Sequence, residues 1–248
     1  MDVKNSRPPP PPPGSGHAAP PSSAGLDALL DALPLAGVLE RRPVFRLAPG
    51  RGPVVAAERV VVSRRALAAA LGAAAEDDDL LRHAGDRIAE RFCGRPLHGG
   101  VAEPSPGGLP ARVPVLLPLP LRPITVPAPR PGLIGVLPLA AAATASGAPL
   151  AERRAELAAL GWRLGIGGLD AAALRFVALA ALGADLLLFR WSPALARQGA
   201  DALRGADPHA LVLTGCDGAD AVEWGRNAGL TLFSGPGLQA EAAGAAPC

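Results

Sequence analysis

Tyrosine is absent from this chain of 248 residues, and five phenylalanines and three tryptophans are its only aromatic side chains. Leucine, valine and alanine must therefore fill the core, and alanine buries little area per residue. Lysine is nearly as scarce: Lys4 stands alone, and the remaining basic residues are arginines. The net charge is only +2 and both signs are scattered. With no arginine stripe interleaved with aromatics, nucleic acid is excluded as the expected partner. Cysteine is too sparse for a disulfide framework, and the spacing of Cys93, Cys216 and Cys248 fits no zinc site. Free thiols and a cytoplasmic setting are the expectation.

Uninterrupted apolar runs are lacking as well. Lys4 and Arg7 are followed by polyproline instead of an apolar segment, so no secretory signal is expected. The apolar stretch 113–143 is cut by Pro114, Pro118, Pro120, Pro123, Pro127, Pro129, Pro131 and Pro138, and carries Arg122 and Arg130. A lipid-exposed helix is implausible there, and no membrane association is expected.

What is present is a sequence of short strands separated by helical segments. Residues 1–25, with Pro8–Pro13, read as a disordered proline-rich tail. Residues 26–240 read as one domain and 241–248 as a flexible end. Leu26–Leu33 is a short helix. Arg42–Leu47 and Pro53–Val62 flank Pro49-Gly50-Arg51-Gly52 as a hairpin. Ser63 is placed to cap a helix at Arg64–Leu71, and acids at 76–79 begin a second helix over Leu80–Phe92, with Arg91 near its end. Cys93–Leu109 reads as a loop. Val113–Leu117 and Leu133–Leu137 are strand candidates, with a weaker extended piece at Ile124–Val126.

From Pro149 onward the alternation is regular. Helix Pro149–Leu160 leads to strand Trp162–Ile166, helix Ala171–Leu182, strand Ala184–Phe189 and helix Pro193–Arg204. Strand Ala210–Leu213, helix Ala219–Asn227 and a short strand Thr231–Phe233 complete the series. Such alternation with apolar strands points to a parallel α/β fold. Chemistry in that architecture sits where the strands end.

The residues at those ends carry a resemblance. Gly161 to Leu169 resembles a segment of the EAL domain family, the phosphodiesterases of cyclic di-GMP, in which a glycine and an aromatic begin a strand ending in paired aspartates. Ala184 to Arg190 resembles that family's strand ending in Lys-Ile-Asp. Leu213 to Asp217 resembles its Ala-Glu-Gly-Val-Glu strand end, and Gly229 to Pro236 its closing strand. More weakly, Arg42 to Leu47 and Val54 to Val60 resemble the two opening strands, with Glu58 where the signature glutamate stands. The resemblance spans about residues 38–238, with no motif intact. It implies an α/β, TIM-barrel-like EAL fold, incomplete or irregular in its middle strands if the prolines of 110–138 shorten them.

The resemblance also implies what is missing. The positions of the paired aspartates are Gly167 and Gly168, that of the metal-proximal lysine is Leu188, and that of the following aspartate is Arg190. Thr214 stands for a metal-site glutamate, and Asp217 replaces a structural acid. Two-metal phosphodiester hydrolysis needs several carboxylates, and Glu58 alone cannot supply them. No metal, no cofactor and no catalytic residue is therefore expected. The leading expectation is a catalytically inactive EAL-like domain serving as an interaction or regulatory module with a protein partner. The alternatives are a sensor that binds cyclic di-GMP weakly without hydrolysing it, and a hydrolase with a rebuilt site. Arg190 and Trp191 are the candidate ligand contacts, since guanidinium and indole groups stack on bases and pair with phosphates; the competing reading is rim packing. Cys216 lacks an evident base, which argues against a nucleophile. If the alignment holds, Glu58, Gly167, Leu188, Arg190 and Thr214 converge at one end of a barrel.

Overall fold

The hairpin around Pro49–Gly52 forms, and its two strands begin the barrel wall. In the computed structural model, which describes residues 23–94, 113–120, 132–144 and 148–244, β1 (Leu39–Arg46) runs antiparallel to β2 (Val54–Val62). Parallel strands follow: β3 (Val115–Pro118), β4 (Leu133–Pro138), β5 (Arg163–Leu169), β6 (Leu186–Arg190), β7 (Leu211–Thr214) and β8 (Leu232–Ser234). β8 pairs with β1 and closes an eight-stranded barrel. Nearly all of the expected tail, the piece Ile124–Val126, most of the loop Cys93–Leu109 and residues 245–248 lie outside the described residues.

The expectation of an incomplete barrel gives way to a closed one. The prolines do shorten the wall: β3 has four residues and meets β2 only through Glu58–Val115 and Arg59–Leu116. Closure is kept because β3 aligns all four residues with β4. A side chain at Gly135 would run into Leu119, so the glycine lets the wall pack tightly there.

Alternation along each strand divides the apolar residues between two cores. Val44, Ala57, Leu116, Ile134, Val136, Leu186, Leu188, Val212 and Leu232 fill the lumen. Phe45, Leu117, Leu164, Ile166, Phe189, Leu213 and Phe233 face the surrounding helices. That outer layer includes α6 (Ala148–Ala159), α7 (Pro193–Gln198), α8 (Ala219–Asn227) and α9 (Pro236–Gly244), with α5 (Leu139–Thr144) following β4 directly.

A separate cluster binds the N-terminal helices α1 (Ser23–Ala32), α2 (Leu35–Val38), α3 (Arg64–Leu71) and α4 (Asp78–Cys93) through Leu26, Leu30, Leu67, Leu81 and Ile88. Ser63 caps α3 by accepting from Ala66 N, and Asp77 caps α4 by accepting from Asp79 N at 2.8 Å. Arg91, in the last turn of α4, donates to the carbonyls of Leu30 and Leu33, closing the end of α1.

One expected helix is absent. Ala171–Leu182 forms two 3₁₀ turns, Ala173–Arg175 and Leu179–Leu182, instead of a continuous helix. Alanine supplies propensity, but only Ala171 and Leu179 are buried, so no continuous apolar face anchors a long helix. Conversely, α5 and α9 lie where no helix was expected. No helix among the described residues is long and apolar enough to cross a membrane.

Candidate functional site at the barrel mouth

Strand register decides which side chains look into the barrel. Arg59 pairs with Leu116, a lumen residue, and therefore shares the lumen face. Arg42 pairs with Arg59 and lies on the same face. At the opposite wall, Arg190 stands two residues after lumen-facing Leu188 and pairs with Thr214, which pairs in turn with Ser234. Gly167 pairs with Pro138 at the same end. The C-terminal ends of the parallel strands thus bring Arg59, Gly167, Arg190, Thr214 and Ser234 to one mouth, with Arg42 entering from antiparallel β1.

Leu188 sits one layer deeper, fully buried in the lumen core. Gly168 occupies a bulge: β5 shifts register against β6 between Ile166 and Leu169, and Gly168 takes φ +79°. A Cβ at Gly167 would lie 2.9 Å from Val136 Cγ1. The two glycines are thus built into the backbone geometry, and carboxylates at these positions would need a different local path. Asp217 is exposed in the turn before α8.

Glu58 does not join this group. It pairs with Val115 and Pro43 on the outer face of β2, where it is buried and bound to Arg41 at 3.2 Å. The signature position assigned to it in the sequence is a structural ion pair in the wall. Trp191 also departs from the mouth: its backbone N–H donates to Thr214 O at 2.8 Å, and its ring tilts against Trp224 of α8 at 5.6 Å. Arg190 and Trp191, neighbours in sequence, diverge to the lumen and the helical layer.

The charge at the mouth is dominated by arginine. Arg42 donates to Glu40 at 2.6 Å and 3.1 Å. Glu40 also accepts from the Ser63 hydroxyl, and this bond, followed by the Arg42 contacts, lowers its pKa. Arg59 has no side-chain hydrogen bond or ion pair among the described residues. Burial, and then the neighbouring Arg42 charge, lower its pKa to about 10. It remains protonated at neutral pH, a cation on the lumen wall with no counter-ion among the described residues. Thr214 donates its hydroxyl to Phe189 O at 2.7 Å and Ser234 to Pro43 O at 2.9 Å, which fixes both side chains at the rim.

Chemically, this arrangement suits an anion. Among the described residues, no group of three or more His, Cys, Asp or Glu side chains comes together to hold a metal ion. Cys216 is buried, donates to Leu213 O at 3.4 Å, and burial pushes its thiol up to about 12, so it is a protonated packing residue. The residues that sequence reasoning missed are Arg42, Arg59 and Ser234. The available signal was the alternation of Val54–Val62, which sets Arg59 on the face opposite Glu58 and Val60.

No family model matches the chain, and no curated protein matches it. In outline the fold is similar to several solved EAL domains. One is the FimX EAL domain from Pseudomonas aeruginosa bound to c-di-GMP (TM-score 0.49, 13% identity, covering 86% of this chain and 95% of that one). Another is the S helix-GGDEF-EAL portion of Vibrio cholerae LapD (TM-score 0.48, 8% identity, 90% of this chain and 59% of that one). A third is an EAL domain protein from Listeria monocytogenes (TM-score 0.40, 13% identity, 87% of this chain and 92% of that one).

Proposed function

We propose that this protein is a non-hydrolysing binding module whose barrel mouth takes a phosphodiester ligand. The observation that carries this reading is Arg59, protonated and without a partner among the described residues, on the lumen wall beside Arg42. A desolvated guanidinium left without a counter-ion is costly in a folded chain, and a bound phosphate would supply the missing charge and hydrogen bonds. Arg190 offers a second cation from the opposite wall.

Binding without cleavage follows from the donor set. A metal-assisted attack needs oxygen ligands around the scissile phosphate, and Glu40, the one carboxylate on the lumen-facing side of these strands, is held by Arg42 and Ser63. Cyclic di-GMP is the ligand to test first, because the strand ends resemble those of the EAL family. Binding of a nucleotide second messenger without turnover would make the chain a regulatory module.

The test is incubation of the full chain with cyclic di-GMP and excess Mn²⁺ or Mg²⁺, with chromatography of the nucleotide. The expected result is unchanged cyclic nucleotide, with the protein retaining it on a desalting column. Linear product above a protein-free control would overturn the non-hydrolysing reading.

A further inference from the structure

We infer that the barrel end opposite the mouth is a docking groove for an acidic, apolar peptide segment of a protein partner. The turn after β1 and the turn before β8 meet there, joined by Leu47 N donating to Thr231 O at 2.9 Å. Between them and the end of α8 lies a groove of about 540 Å³, with Leu47, Pro49, Arg51, Arg226, Leu230 and Thr231 among its walls. Leu47 and Leu230 are buried and form an apolar floor, while Arg51 and Arg226 stand exposed at the rim.

The charge pattern names the occupant. Elsewhere the exposed arginines are divided: Arg64 pairs with Asp78, Arg82 with Asp79, Arg154 with Asp185 and Arg204 with Asp201, whereas Arg65, Arg175, Arg190 and Arg197 have no ion pair among the described residues. Arg51 and Arg226 have no ion pair among the described residues, and no acid lines the groove. Arg46, the last residue of β1, is exposed at the same end and has no ion pair among the described residues. Val54, 60% exposed, pairs with Arg46 and extends the apolar surface beside them.

In TIM-like barrels this end ordinarily serves stability; here Arg51, Arg226 and Arg46 stand beside an apolar floor with no carboxylate matching them among the described residues. A concave apolar floor with cationic edges fits a short chain that presents both apolar and acidic side chains. Nucleic acid fits less well, because no aromatic lines the groove for base stacking. The site is separate from the mouth, and neither Arg51 nor Arg226 belongs to the ligand-binding residues proposed there.

Fluorescence anisotropy tests this with a labelled octapeptide, Glu-Leu-Asp-Val-Glu-Leu-Asp-Val, titrated with the full chain. Its counterpart carries Gln and Asn in place of the acids. The acidic peptide is expected to bind, with the neutral peptide at least about tenfold weaker. The double variant Arg51→Glu with Arg226→Glu should weaken acidic-peptide binding by at least about tenfold, while Arg51→Lys with Arg226→Lys stays within about threefold. Circular dichroism melting of each variant establishes that it is folded. Absence of binding, or equal binding by the charge-reversed variant, would overturn the inference. So would tighter binding to oligothymidylate or to phosphatidylserine vesicles that the charge reversal abolishes, since the groove would then serve another class of partner.

Discussion

Glu58 and Arg59 are consecutive residues of β2 that face opposite sides of the barrel wall. Glu58 is buried against the outer layer and paired with Arg41 at 3.2 Å, whereas Arg59 looks into the lumen without a partner among the described residues. Their opposite environments give opposite consequences on substitution. Glu58→Gln leaves Arg41 without its charge partner and is expected to cost about 1–3 kcal/mol. Arg59→Met removes an uncompensated cation while keeping its aliphatic bulk, and is expected to stabilise the fold by about 1 kcal/mol. Urea denaturation of the two variants beside wild type checks both signs. A stability loss in Arg59→Met equal to that in Glu58→Gln would show that Arg59 has a structural partner.

The glycines at the end of β5 resist replacement by acids. Gly168→Ala forces a side chain into φ +79° and should cost about 1–2 kcal/mol. Gly167→Asp brings a Cβ within 2.9 Å of Val136 and should cost about 1–3 kcal/mol. Neither change, nor the Asp-Asp double substitution, is expected to produce Mn²⁺-dependent hydrolysis of cyclic di-GMP. A nucleotide cleavage assay decides it, and metal-dependent turnover in the double variant would show a site needing only its acids.

Much of the architecture was legible in local chemistry. The hairpin glycines, Ser63 before Arg64–Leu71, and the acids before α4 specify their elements through caps and turns within a few residues. The apolar strand runs specify a parallel α/β fold because such runs need both faces covered, and the barrel form was implied only by the EAL resemblance. The segment 171–182 misled because alanine has helix propensity wherever it stands, and only the finished barrel shows that most of that face meets solvent. The site was less legible. Which of Glu58 and Arg59 enters the lumen depends on the register that sets Arg59 opposite Arg42 and Leu116 and Glu58 opposite Pro43 and Val115, a long-range pairing that no short motif reports. Likewise, Arg190 and Trp191 form a plausible contact pair on paper, but alternation sends the indole to Trp224.

Alkaline pH reports on the two buried thiols. Burial pushes Cys93 and Cys216 from 9.0 up to about 12. Between those values the folded chain holds protons that the unfolded chain releases, so stability is fully present below about pH 9 and falls as pH rises. The slope reaches about 1.4 kcal/mol per pH unit for each thiol. Urea midpoints at pH 8 and 10 should fall for wild type and fall less for Cys93→Ala with Cys216→Ala. The absence of tyrosine removes a competing titration in this range. Identical pH dependence in the double variant would mean the thiols do not retain their protons in the fold.

Ser63 joins two parts of the molecule, capping α3 through Ala66 N and donating to Glu40 at the mouth. Ser63→Ala is expected to cost about 1–2 kcal/mol by thermal or urea denaturation. It should also release Glu40 toward the ordinary carboxylate range, because the Ser63 bond is the largest cause of its lowered pKa. For wild type the sign is that of a depressed carboxyl: the stabilisation is present above the ordinary carboxylate pKa and is lost on acidification. Ser63→Ala should therefore show a shallower loss of stability between pH 6 and 3. An unchanged acid limb would mean that Glu40 does not depend on Ser63.

Isothermal titration calorimetry of cyclic di-GMP into the full chain, with Arg59→Met and Arg59→Lys in parallel, probes the mouth most directly. Wild type should release binding heat, Arg59→Met should lose affinity by at least about tenfold, and Arg59→Lys should fall between them because it keeps the charge but not the planar fork. Equal binding by wild type and folded Arg59→Met, or no heat from wild type at high-micromolar ligand, would contradict a phosphodiester site at Arg59.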